Sequence, residues 1–555
     1  MATPSVTLPQ GKVVGIQLEN EFPQPVDAFL GIPYARPPVG DLRFRPAARL
    51  PSSTETIDAS KYGPAAPGKA LLAGGPDLEQ SEDCLTANIF RPSSTQTTKK
   101  PLPVAIYVHG GAFNRGAAAM HKTASMVAWS QEPFVAVSFG YRLGALGFLP
   151  SAVAKKEGML NLGLRDQVFL FEWVQENIAR FGGDPDTVTL FGLSAGAHSI
   201  GHHLLDYTSN KPPLFHRVIL ESGAPTSRAV RPYDANIHEE QFQSFLEEVS
   251  CPHTTPESES KIFPYLRSLP SSVITNAQTA VFDKYNSSLR WAFQPVIDGE
   301  DGKEDEDGIV IPWKPLDAWT SGKWHKNIPI MTGFNTNEGT MYVDKTMSEP
   351  SQFRDFWHML LPQLSAADLD TIERLYPDPS VFTDSPYIET RGAEHGLGPQ
   401  YKRIEAAYGH YAYVAPVRQT AHFASLQGTL VYLYNWALPR TIIGRANHGD
   451  NMYYETYNSE ITSLSESQKE LSGTLHAYIT SFITSGDPNA VSGRYGERPV
   501  WKPYVADDPK VLVFGEENEE LIGGSVGLAA KFVDDSWARE ETGFWWEKTE
   551  ISQLA

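Results

Sequence analysis

The sequence predicts an α/β fold built on a large, mostly parallel central sheet with helices on both faces. Three observations carry this expectation. Short apolar runs recur along the chain, each run ends in turn chemistry, and helical periodicity fills the intervals between them. Near-continuous apolar strands suit a sheet that is buried on both sides. Strands alternating with helices build parallel sheets.

Pro103–Val108 is β-rich and ends in His109-Gly110-Gly111. Phe134–Ser138 ends near Gly140, Val188–Phe191 ends at Gly192, and Val218–Leu220 ends at Ser222-Gly223. Ile328–Thr332 ends at Gly333, and Thr429–Trp436 stops before Pro439. Between these runs, Gln167–Phe181 carries Phe169, Leu170, Trp173, Val174 and Ile178 close to helical spacing, and Ala195–Leu205 reads as a second helix. In sheets of this kind the chemistry gathers at the carboxyl ends of the strands.

Composition narrows the class. Of 555 residues, 41% are apolar and 20% charged, which excludes a disordered or fibrous chain. Length alone allows several units of roughly 150 residues, but no repeat, linker or shift in composition marks a boundary. A net charge of −20 argues against nucleic acid and anionic membrane surfaces as partners. No apolar run approaches the roughly 18 residues of a membrane span. Met1–Val14 lacks a basic segment followed by an apolar one, so no leader is expected. Two cysteines, Cys84 and Cys251, fit a reducing compartment. A cytoplasmic globular protein is the expectation. The polar patches Ser93–Lys100, Glu300–Asp307 and Glu516–Glu520 read as solvated loops.

The pattern G-x-S-x-G occurs twice, at Gly192–Gly196 and at Gly523–Gly527. Context separates the two. Ser194 follows the strand Thr187–Phe191 and opens the helix at Ala195, the strand–turn–helix setting that holds a serine on a sharp turn. Small residues flank it because the turn brings strand and helix together. The helix start also offers the Ala195 N–H to developing negative charge. Ser525 sits in a Gly-rich stretch after an acidic run, and no His follows His476, so it cannot begin a Ser…acid…His order. Upstream, His109-Gly110-Gly111-Ala112 follows a strand and supplies small residues whose amides can converge on an oxyanion. Gly111, Ala112 and Ala195 are the expected donors.

Together with other segments, these motifs resemble the type-B carboxylesterase/lipase family, the cholinesterase-like branch of the α/β hydrolases. The resemblance runs from about residue 10 to about residue 546. It includes Phe29-Leu30-Gly31-Ile32-Pro33-Tyr34-Ala35, Ser81-Glu82-Asp83-Cys84-Leu85, Tyr141-Arg142-Leu143-Gly144, Asn161-Leu162-Gly163-Leu164-Arg165-Asp166-Gln167, Phe181-Gly182-Gly183-Asp184-Pro185 and Gly486-Asp487-Pro488-Asn489. It implies one catalytic domain over residues 1–555 and a Ser, Glu, His triad. The family motifs N-x-x-E-G and H-G-x-[DE] fall at Asn335–Gly339 and at His448–Asn451, the acidic residue of the second, Asp450, standing one position early. Glu338 follows one predicted strand and His448 another, in the chain order Ser194, Glu338, His448. Asp450 is the rival third member, but a carboxylate two residues from its own His is poorly placed to orient that ring. His198, His202 and His203 look like a metal cluster, yet their place on the helix after the nucleophile favours packing, and His109 reads as structural.

The chain departs from the family at the residue before the nucleophile, which is Leu193 where Glu is common. It also has Ala66 where the partner of Cys84 usually stands, and the loop between them carries no Trp. These departures argue against cationic substrates, and the short loop argues against a large lid. The function expected is hydrolysis of a small to medium neutral or apolar ester through an acyl-enzyme, with no metal or cofactor. Acyl transfer or lactone chemistry on a natural product is the near alternative, and a noncatalytic cholinesterase-like binding protein the distant one.

Overall fold

In a computed structural model, the described residues are 3–19, 22–70, 77–94, 100–206, 212–227, 230–299 and 308–553. The patch Glu300–Asp307 and most of Ser93–Lys100 lie outside them, as does part of the Ala66–Cys84 loop. Fourteen strands occur among them: β1 (Ser5–Leu8), β2 (Gly11–Val14), β3 (Ile16–Leu18), β4 (Val26–Pro33), β5 (Thr56–Asp58), β6 (Thr86–Pro92), β7 (Leu102–Val108), β8 (Val135–Phe139), β9 (Gly183–Leu193), β10 (Arg217–Glu221), β11 (Ile330–Asn335), β12 (Val431–Trp436), β13 (Lys510–Phe514) and β14 (Ala530–Asp534). Strands β1, β2 and β5 make a small sheet. The other eleven form one sheet in the order β14-β13-β12-β11-β10-β9-β7-β8-β6-β4-β3.

The centre of that sheet, from β8 through β13, is parallel, while β3, β4, β6 and β14 pair antiparallel at its two ends. The α/β expectation holds, and all six runs read as strands are strands. The antiparallel ends carry no crossover helix, so strand–helix alternation could not announce them. The anticipated helix at Gln167–Phe181 begins earlier, spanning Leu162–Asn177 before a 3₁₀ turn at Ile178–Phe181, and Ala195–Leu205 is helical as expected.

Alternation along the buried strands divides the core between the two faces of the sheet. Val104, Ile106, Val108, Leu190 and Leu220 pack on one side, and Ala105, Tyr107, Phe191, Ile219 and Tyr434 on the other. A third apolar cluster, Phe353, Trp357, Ile372, Tyr401, Ala412 and Trp545 among its members, belongs to the helical segment between β11 and β12 and to the C-terminal helix.

Charges buried at the ends of this sheet are paired. Arg142, just beyond β8, donates from Nε and Nη2 to Asp166 at 2.8 and 2.6 Å, and the Arg142 amide donates to the same carboxylate at 3.1 Å. Arg43 and Glu82 form a second two-pronged pair, at 2.7 and 2.6 Å. Removing one member of such a pair leaves a buried charge uncompensated. Asp166→Ala should therefore lower the unfolding free energy by about 3–5 kcal/mol, measured by urea denaturation. A loss below about 1 kcal/mol would mean that the Arg142 guanidinium finds other partners.

Candidate active site

Four strands end around one pocket. Strand β9 delivers Ser194 on a backbone with φ 59° and ψ −123°, a strained conformation for a residue with a side chain. The strain is held by close backbone approach. A Cβ on Gly192 would lie 2.5 Å from the Val108 carbonyl oxygen, and one on Gly196 would collide with the same oxygen. The Ser194 amide donates to the Glu221 carbonyl at the end of β10, at 2.9 Å. The next residue, Ala195, begins the helix.

Strand β7 leads into His109–Ala112. Gly111 (φ 120°) and Ala112 (φ 54°) both take positive φ, which turns their amides away from the strand direction. The loop is closed from below by Arg115 and Asn114, whose amides donate to the Gly111 carbonyl at 3.1 Å. His109 is buried, its ring stacked on Tyr141 with centroids 4.4 Å apart, and the Tyr141 hydroxyl donates to the His109 carbonyl. Burial pushes its imidazole down to about 4, in keeping with a structural role.

Strand β11 delivers Glu338, fully buried, whose Oε1 accepts the Asn335 amide at 2.7 Å. His448 lies in the loop that follows β12, and its Nδ1 stands 2.5 Å from Glu338 Oε2. The two loops are joined where the Asn337 amide donates to Ala446 and the Asn335 side chain to the Asn447 carbonyl. Asp450, the rival carboxylate, accepts the Asn447 amide and lies 3.6 Å from Arg440. It turns its carboxylate to the start of its own loop.

Ser194, His448, Gly110, Gly111 and Ala112 all line one pocket of about 430 Å³, together with Leu193, Met341, Tyr342 and Tyr453. His448 Nε2 has no hydrogen-bond partner among the described residues, so the face of the ring opposite Glu338 is free to take a proton. Tyr413 packs over this ring at 4.6 Å between centroids and Tyr342 at 5.4 Å. Neither was anticipated. Tyr413 lies in a one-turn π-helical bulge, His410–Val414, which no local sequence signal marks. Ser525, the decoy, is exposed on a turn where its carbonyl accepts the Glu519 amide.

Beneath Ser194 lies a buried polar cluster that sequence reasoning missed. Glu221 Oε1 accepts from Asn451 at 3.0 Å and from the Tyr434 hydroxyl at 3.2 Å, and Glu455 Oε1 faces His121 Nε2 at 2.9 Å. Burial pushes the Glu221 carboxyl well above its usual range and Glu455 up to about 8, and pushes His121 down to about 3. His121 is therefore a neutral donor, and its contact with Glu455 is a hydrogen bond, not an ion pair. The second oxygens of Glu221 and Glu455 lack other partners. A proton shared between them satisfies both.

The geometry defines a class first: an α/β-hydrolase fold carrying Ser194 on a sharp, strained turn between β9 and the helix that follows. The chain belongs to the carboxylesterase family, which it matches over residues 2–534, and it is a carboxylic ester hydrolase. It is 34% identical to "Secreted lipase 4" of Gibberella zeae over 96% of this chain and 90% of that one. It is 31% identical to "Lipase 1" of Geotrichum candidum over 88% of each. The crystal structure of Aspergillus niger EstA superimposes with a TM-score of 0.80 at 26% identity, covering 100% of this chain and 99% of that one.

The shared proton gives the protein a pH signature. A carboxyl whose folded pKa lies above its unfolded value stabilises the fold below the unfolded pKa and loses that contribution as pH rises through the folded one. For Glu455 the loss runs from about 4.5 to about 8. Thermal melts of Glu455→Gln between pH 5 and 9 should show a flatter profile than wild type and a higher midpoint at pH 9. Parallel profiles would count against the shared proton.

Proposed function

We propose that Ser194, Glu338 and His448 form a catalytic triad, that the amides of Gly111, Ala112 and Ala195 form the oxyanion hole, and that residues 1–555 act as one catalytic domain. The observation that carries this reading is the Glu338–His448 contact opening onto the pocket that holds Ser194. Ser194 Oγ attacks the ester carbonyl carbon while His448 Nε2 takes the hydroxyl proton. Glu338 fixes the ring with Nδ1–H toward itself and stabilises the imidazolium. The three amides receive the charge developing on the carbonyl oxygen. Collapse of the tetrahedral intermediate breaks the bond to the alcohol, which leaves with the proton from His448. Water, deprotonated by His448, then releases the acid from Ser194.

The alcohol half is read as uncharged or apolar. Leu193 lies against Gly449 beside the catalytic ring, where an acidic side chain would favour a cation. A pocket of about 430 Å³ suits a small to medium ester. Relatives named lipases make acylglycerols a second reading, and tributyrin against triolein emulsions separates the two. Acyl transfer is distinguished by product analysis with water and alcohols as competing acceptors. Cytoplasmic residence rests on two buried free thiols, Cys84 and Cys251. The word "Secreted" in the name of the Gibberella zeae relative favours export, and cell fractionation decides.

Ser194→Ala should reduce p-nitrophenyl butyrate hydrolysis by at least about 10³-fold, and Ser525→Ala should leave it intact. Comparable activity in the Ser194 variant would remove the mechanism. Choline esters should react more slowly than neutral esters of similar size. A preference for the cation, measured as kcat/KM, would contradict the role given to Leu193.

A further inference from the structure

Resting on the esterase reading above, we infer that a side cavity next to the catalytic pocket, built around Arg231 and Arg290, binds a carboxylate carried by the acid half of the ester. The cavity measures about 50 Å³, and Leu289 and Trp291 line both it and the pocket of Ser194. Phe113, the residue after the oxyanion donor Ala112, forms part of its wall. None of its lining residues comes from the His448 loop, which borders the side on which the alcohol leaves.

The polar lining is unlike a hydrocarbon tunnel. Arg231 is 92% buried (8% exposed), yet its guanidinium has no ion pair or hydrogen bond among the described residues, and its Nε is enclosed without a partner. Arg290 lines the same cavity, also with an enclosed and unpartnered Nε. Ser227 Oγ and His202 Nδ1 are buried there without partners as well. The lining contains no Asp or Glu among the described residues. Burial presses Arg231 down to about 10, against the pull of Tyr411 and with the added push of Arg290, which leaves it a cation at neutral pH. His238 is pushed down to about 3, by burial first and then by Arg231, so it adds no charge.

Other buried guanidinium groups are satisfied within the chain; Arg403, for one, donates to the Tyr376 carbonyl and to Gln400. Arg43, Arg142 and Arg418 are all buried, and each is matched by a carboxylate in two-pronged contact. Two guanidinium groups left unmatched in one cavity carry a desolvation cost that water offsets poorly and an anion offsets well. A guanidinium fork matches the planar, two-oxygen shape of a carboxylate. The cavity is several times the roughly 10–15 Å³ that one water needs, room for a carboxylate group, and Leu289 and Trp291, shared with the Ser194 pocket, mark the way an acyl chain would take. The uncharged character assigned to the alcohol half is unaffected, because the charge resides on the other half.

The test uses purified full-length enzyme and two methyl esters of equal length, monomethyl adipate and methyl hexanoate. Wild type should favour the adipate ester in kcat/KM by about 10- to 100-fold, the range of one or two charge-assisted hydrogen bonds. Arg231→Gln and Arg290→Gln should each collapse that ratio, chiefly through KM for adipate. Arg290 is only partly buried, so its variant serves if the Arg231 variant fails to fold. Preference for methyl hexanoate in wild type, or variants that lose both esters equally, would overturn the inference. So would free adipate that accelerates p-nitrophenyl butyrate hydrolysis, since the cavity would then hold an effector and not the substrate. Activity on p-nitrophenyl butyrate with neither methyl ester hydrolysed would sink the carboxylate site alone. Absence of hydrolysis of every ester would strike the catalytic reading as well.

Discussion

The site depends on how closely the ends of β7 and β9 approach each other. The Val108 carbonyl faces Gly192 and Gly196 across a gap that no side chain fits, and Gly110 sits against the Leu193 carbonyl under the same constraint. That contact forces Ser194 into its strained backbone conformation and brings the start of the following helix next to the Gly111–Ala112 loop. A serine on a relaxed strand would point along the sheet. Here the strain is balanced by the packing of two strands and a helix, so the hydroxyl is aimed before substrate arrives. Catalytic geometry and core packing are thus one property of the same few backbone atoms.

Much of this was legible in the sequence because it is local. The parallel core strands announced themselves as apolar runs ending in glycine, and strand–turn–helix context separated Ser194 from Ser525. The family motifs and the strand order pointed to Glu338 and His448, and the fold brings these two side chains into contact. What stayed hidden depends on contacts between distant segments. Tyr413 reaches His448 only because a π-helical turn rotates it inward, and Glu221 meets Glu455 across more than two hundred residues. The antiparallel ends of the sheet were missed because hairpin-like pairing carries no helical spacer to count. Arg231 and Arg290 look like any surface arginines until the fold encloses one of them.

Two ways of handling buried charge coexist in the interior. Beneath Ser194, burial and a shared proton lower the charge on a carboxyl pair, and neutral His121 completes the network. At the sheet ends, guanidinium groups meet carboxylates in two-pronged pairs. Both strategies settle the electrostatics within the chain itself. The cavity around Arg231, beside the pocket that holds Ser194, is where a buried guanidinium has no matching carboxylate among the described residues.

The aromatic ring of Tyr413 packs against two histidines. It lies 4.6 Å from the ring of His448 on one side and 6.2 Å from that of His198, a lining residue of the arginine cavity, on the other. Its place is set by the extra residue accommodated in the His410–Val414 turn. Deleting one residue of this turn ahead of Tyr413 would swing that ring and every later side chain of the helix by about 100°, taking it away from both histidines. A single codon in a segment far along the chain from Ser194 thereby governs whether the two histidines share one aromatic neighbour.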